Sequence, residues 1–275
     1  MGREAEATSH SSNWLQDYID EHLARGGFAF HADEAIKACK VTPIAFKRAA
    51  DRLQGKNKLL RVQPGIVVPI PPAYRDQGTP PTVWFIDAIM RLRKTDYCVG
   101  LLSAATFHGA THQAVQTFQV LTANRIKPIK AGKQTISTIH KSDLSKFPFQ
   151  EAQTETGYFR LSTPEVTAFD LLQFHKQSGG YQHIVTVLSE LSERLDAKKL
   201  VQVSEIESDV SISQRLGHLL STLGFEKLVE PLKKHLGQQS LRMIPLVPVR
   251  NFQKADFKID ETWRVIINEE LESDV

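Results

Sequence analysis

Residues 41–69 read VTPIAFKRAADRLQGKNKLLRVQPGIVVP, and their reading decides the fold. Thr42-Pro43 is a helix N-cap followed by proline at the first helical position, where the missing N–H is no loss. Phe46, Ala49, Ala50 and Leu53 then recur at i, i+3, i+4 and i+7, one buried stripe, and Gly55 closes the helix. Leu59–Gln63 and Ile66–Pro69 follow as two short strands around Pro64-Gly65. That pair suits a type II turn, whose second central residue needs φ > 0.

Upstream, Trp14, Leu15, Tyr18, Ile19 and Leu23 fall at helical spacing, ended by Gly26-Gly27. His31 to Lys40 reads as a short second helix with Ala35, Ile36 and Cys39 inward. Three helices and a hairpin are the winged helix-turn-helix arrangement. Charge agrees: residues 37–61 hold Lys37, Lys40, Lys47, Arg48, Arg52, Lys56, Lys58 and Arg61 against one acid, Asp51. Lys47, Arg48 and Arg52 lie off the apolar stripe, as donors for phosphates and base edges in a major groove must. The helix start at Thr42 offers backbone N–H groups to a phosphate. Lys56, Lys58, Arg61 and Gln63 would contact the flanking backbone or minor groove.

Downstream, Pro69–Pro81 carries five prolines in thirteen residues, too many for a helix or central strand. It reads as a stiff linker, giving a DNA-binding domain over 1–70, a linker over 71–81 and a second domain over 82–275. The second domain reads as mixed α/β. A helix over 83–89 and a buried one over Val99–Phe107 precede strands at Val115–Thr122, Thr135–His140 and Tyr158–Leu161. Thr163-Pro164 opens a helix to Phe174, helices continue to about residue 236, and Leu241–Val249 and Thr262–Asn268 read as strands returning to a sheet. Arg125 to Lys133, with Lys127 and Lys130, contains Pro128 and Gly132 and reads as an exposed basic loop. Such a loop extends a nucleic-acid footprint or is ordinary surface.

The 275 residues are 41% hydrophobic and 24% charged, which excludes a disordered or coiled-coil chain. Two cysteines, Cys39 and Cys98, make no disulfide framework and point to the cytoplasm. The N-terminal MGREAEATSHSSNW has no apolar core and reads as no signal peptide. Tyr97 to Asn124 lacks Asp, Glu, Lys and Arg, but His108, His112, Gln113 and Gln116 make it too polar for a membrane span. The net charge of +3 is unevenly placed: residues 37–150 hold 18 basic and five acidic residues, while each flank is net −5. A basic middle attracts polyanions, nucleic acid above all.

No nucleotide-binding or hydrolase motif occurs, and the reading expects no catalytic residue, metal or cofactor. His108 and His112 are four apart, but Gly109 breaks the helix that would align them. Asp143 and Glu151-Ala-Gln153 approach a restriction-type nuclease spacing with glutamine where the lysine belongs. A degenerate nuclease guided by the winged helix is the alternative function.

Several segments appear in an order that resembles the AbiEi antitoxin family of type IV toxin–antitoxin systems: YCVGLLSAATFHGA (97–110), FQVLT (118–122), LSTPEVTAFDLL (161–172), QRLGHLLSTLG (214–224) and TWRVIIN (262–268). The resemblance implies an N-terminal winged helix that represses its own operon by binding inverted repeats in promoter duplex DNA. It implies a C-terminal domain that neutralises a cognate nucleotidyltransferase-like toxin without a stable complex, with no membrane partner. Carried over by position, the DNA contacts are Lys47, Arg48, Arg52 and Arg61. Whether two chains pair as a homodimer on the DNA stays open.

Overall fold

A computed structural model of the chain describes residues 13–110, 117–249 and 257–271. The chain forms two compact units. The first comprises the described residues up to Thr95, with 127–136 and 153–159; the second comprises 96–126, 137–152 and the described residues from Arg160 onward.

The first unit opens with α1 (Trp14–Ala24), β1 (Phe30–His31), α2 (Ala32–Ala38) and α3 (Pro43–Gln54), followed by β2 (Leu59–Gln63), β3 (Ile66–Pro69) and α4 (Thr82–Leu92). The expected three helices and hairpin are present, with one addition: β1 pairs with β3, making an antiparallel sheet of order β1-β3-β2. Leu15, Ile19, Phe30, Ala35, Phe46, Ala49, Ala50, Leu53, Leu59 and Val67 form one buried cluster. Gly65 has φ +79, as the hairpin turn requires. A Cβ there would lie 2.5 Å from Nε2 of His31, so the turn is pressed onto the residue that caps α2.

The stretch 71–81 is not an extended linker. Pro72–Tyr74 forms a 3-10 turn, Thr79 and Pro80 are buried, and the Asn57 amide donates to the Arg75 carbonyl at 3.0 Å. Proline restricts φ, but its ring is also apolar and packs like any other. The units divide after Thr95, so α4 belongs to the first. Trp84 on α4 meets Phe28 and Tyr74 edge-on, with ring centroids 5.5 and 4.9 Å apart.

The chain continues through β4 (Tyr97–Val99), α5 (Leu101–Phe107), β5 (Phe118–Thr122), β6 (Ile129–Ala131), β7 (Gln134–His140), β8 (Phe149–Thr154) and β9 (Gly157–Ser162). Next come α6 (Pro164–Gln173), α7 (Gly180–Leu191), α8 (Ala197–Ile206), α9 (Val210–Thr222) and α10 (Glu226–Leu236), then β10 (Ile244–Pro245), β11 (Lys258–Asp260) and β12 (Val265–Ile267). The main sheet has the order β6-β7-β5-β4-β9-β8, and the tips of its two hairpins count with the first unit. The fold is therefore mixed α/β, as expected.

Two expectations are corrected. Val99 belongs to a strand paired with Val120, and the helix starts only at Leu101; an apolar run cannot by itself tell a buried strand from a buried helix. Arg125 to Lys133 is not all loop, because β6 lies within it, Ile129 and Ala131 buried on either side of exposed Lys130. The C-terminal runs do return to a sheet, a separate small one of order β10-β12-β11. No helix among the described residues is long and apolar enough to cross a membrane.

Candidate nucleic-acid interface

Thr42 Oγ1 accepts the Ala45 N–H at 3.2 Å, capping α3, and Pro43 follows at its first position. Phe46, Ala49, Ala50 and Leu53 are buried, which fixes the inward face. Thr42, Pro43, Ile44, Lys47, Arg48, Asp51 and Arg52 are all exposed. Spacing alone puts the three cations off the stripe, and it puts Ile44 there too. Ile44 is 67% exposed.

The hairpin is tied to this helix. Arg61 on β2 reaches Asp51 Oδ1 at 2.6 Å and donates through Nε to Gln54 Oε1 at 2.7 Å. Its guanidinium thus already has protein partners, and it holds the hairpin to α3 rather than standing free beside it. Asp51, the single acid of the basic run, is what recruits it. Gln63 is half-buried with Oε1 turned inward, Lys58 is half-buried, and Lys56 is exposed in the turn after α3.

Of the basic segment, Lys127, Lys130 and Lys133 count with the first unit, where β6 packs beside β2. A Cβ on Gly132, at the turn, would lie 3.7 Å from Leu60 Cδ2. The three exposed lysines therefore share the α3 unit. Arg125 counts with the second unit, beside Thr138, His140, Phe174 and Gln177 in a shallow pocket.

The catalytic alternatives are dispersed. His108 follows α5 as its C-cap and pairs through Nε2 with the Ser162 carbonyl at 2.8 Å; burial lowers its pKa. His112 lies outside the described residues. Asp143 precedes a 3-10 turn, and Glu151 is exposed on β8. Among the described residues, no group of three or more His, Cys, Asp and Glu side chains is placed to hold a metal. The Cys98 thiol is pushed up to about 12, chiefly by burial, which leaves no thiolate at neutral pH.

The second unit buries several charges. Lys141 Nζ lies 2.5 Å from Asp170 Oδ1, with the side chains 1% and 0% exposed, and 3.4 Å from the centroid of the Phe147 ring. Burial raises the Asp170 carboxyl, and the Lys141 ammonium opposes that shift. Glu165 is buried on α6, where it accepts the Asp196 N–H at 3.0 Å.

Residues 98–222 match the family model of the AbiEi antitoxin C-terminal domain. That segment, which spans under half of the chain, is what the chain shares with AbiEi antitoxins. No curated protein sequence matches. The chain is similar in fold to the crystal structure of the RV2827C protein from Mycobacterium tuberculosis. The TM-score is 0.63 at 12% identity, over 94% of this chain and 92% of that one. Within the AbiEi domain, the segment Gln214-Arg215-Leu216-Gly217-His218 has a structural task. Gln214 Nε2 donates to the Arg242 and Trp263 carbonyls, and Arg215 Nε to those of Pro245 and Leu246. The Trp263 ring lies so close over Gly217 that any Cβ there would collide with it.

Proposed function

We propose that the first unit of this chain is a winged helix-turn-helix that binds duplex DNA, and that the whole chain is a self-repressing antitoxin of a type IV toxin–antitoxin system. In this reading it acts in the cytoplasm, binds inverted repeats in its own promoter, and neutralises a nucleotidyltransferase-like toxin without a stable complex. The AbiEi match supports the antitoxin role. The DNA role rests on one observation: α3 buries Phe46, Ala49, Ala50 and Leu53 while Lys47, Arg48 and Arg52 all reach solvent. A helix that reads a major groove needs one face for its own domain and one lined with donors.

The test is a titration of the full chain against its promoter duplex at rising salt. Six neutralised phosphates give a log–log slope on the order of −5, at about 0.9 per phosphate. Binding that does not change between low and moderate salt overturns the DNA role. For the antitoxin, co-expression with a nucleotidyltransferase-like toxin from the same operon should restore growth, and failure to protect, or the lack of any such toxin in the operon, overturns that half.

A further inference from the structure

We infer that Ile44 determines sequence specificity on the DNA-reading helix, by packing its side chain against the C5-methyl group of a thymine. The inference rests on the DNA-binding reading above and adds a named residue and a named base to it.

The placement of Ile44 is what carries it. A helix turns by about 100° per residue, so Ile44 lies roughly 160° around the axis from Phe46, on the far side from the core. Arg48, four residues on, lies within about 40° of it on the same outer line. Lys47 flanks that line, and Asp51 continues it but is occupied by Arg61. Ile44 is 67% exposed and stands in the first turn of α3, between exposed Pro43 and the exposed cations. It belongs to neither the buried cluster of its unit nor the half-buried residues packed on that cluster. A β-branched apolar side chain here gains nothing from helix propensity and nothing from packing.

Groove-reading helices contact base edges mainly with residues near their N-terminus, and α3 presents Ile44 there. The major groove offers one apolar feature, the thymine methyl, and apolar side chains recognise it. An isoleucine flanked by cations suits that groove: Arg48 and Lys47 supply donors for a guanine or a phosphate, and Ile44 removes the methyl and its own γ and δ carbons from water. Burying one methyl is worth about a fourfold difference in affinity.

The experiment selects binding sites for the full-length chain from random-sequence duplexes. The selected site is then resynthesised with deoxyuridine replacing each thymidine in turn, a change that removes only the methyl group. Wild-type protein should lose affinity about fourfold at one thymine, and Ile44→Ala should lose nothing further there. Ile44→Val should keep part of the discrimination. Because Ile44 is exposed, neither variant disturbs the core, and circular dichroism checks this. If no thymine methyl matters to the wild type, or if Ile44→Ala keeps the full discrimination, the inference is wrong while the DNA role stands. If the chain binds no duplex even at low salt, the DNA role itself falls and the inference with it.

Discussion

Along α3, Lys47, Arg48 and Arg52 reach solvent, whereas along α6 and α9 of the AbiEi domain Glu165, Asp170, Arg215 and His218 are buried. The first set lies on the solvent-facing side of its helix. The second set is committed: Asp170 to Lys141, Arg215 to two carbonyls and Ser211, His218 to Asp260 at 2.7 Å. Exposed charges contribute little to folding, while a buried one is costly unless its partners are in place. The α3 cations face solvent, whereas the buried charges of α6 and α9 fix which packing is allowed.

The sharpest test of this contrast is the buried pair. Lys141→Met should cost about 3–5 kcal/mol, because it strands Asp170 in the interior, and adding Asp170→Leu should recover most of that loss. Arg48→Ala should leave stability within about 0.5 kcal/mol. Urea unfolding of the full chain measures all three, and a Lys141→Met protein as stable as Arg48→Ala breaks the comparison.

Next in size is the effect on DNA. Arg48→Ala or Arg52→Ala should reduce the preference for operator over scrambled duplex by about 1–3 kcal/mol, since an arginine takes guanine bidentately. Lys58→Ala should lower affinity for both duplexes alike, as loss of a phosphate contact does. Competition titration reads the ratio; if both arginine variants keep it, α3 is not the reader.

Two helix caps give a smaller, matched comparison. Thr42 caps α3 and Thr163 caps α6 by accepting the Val166 N–H at 3.3 Å. Each change to alanine should cost about 1 kcal/mol by thermal unfolding. Only Thr42→Ala should also weaken DNA binding, because that helix end faces the proposed phosphate.

The smallest effect is in pH. Burial holds the His108 pKa below its ordinary 6.5, so on acidification the unfolded chain takes up the proton first. The stabilisation is complete above pH 6.5 and is lost as pH falls through the folded value. His108→Gln should flatten the slope of stability below pH 6.5; an unchanged slope would remove His108 as a cause.

The N-terminal helices and hairpin were legible because their signals are local: the Thr42-Pro43 cap, the stripe from Phe46 to Leu53, and the Pro64-Gly65 turn each lie within a few residues. What escaped depends on distant partners. Proline at 71, 72, 80 and 81 says only what φ is allowed, not that Pro80 is buried or that α4 stays with the first unit. Lys127 to Lys133 looked like a loop because Pro128 and Gly132 punctuate it, whereas they bracket β6. At the interface the three α3 cations were readable from spacing, but the Arg61–Asp51 pair joins a strand to a helix and no spacing rule reveals it. Ile44 was passed over because an apolar residue near a helix start normally means packing.

The contact between Trp263 and Gly217 bears on where the AbiEi domain can be cut. The family match stops at residue 222, yet the carbonyls that satisfy Gln214 and Arg215 come from residues 242–246 and 263. A chain shortened at Thr222 would keep every matched residue and still strand two buried side chains, at about 1–3 kcal/mol for each unsatisfied donor. It would also strip the indole from the bare backbone of Gly217 and open that stretch of α9 to water. The matched segment and the unit that folds together have different ends, and a viable fragment has to reach past β12.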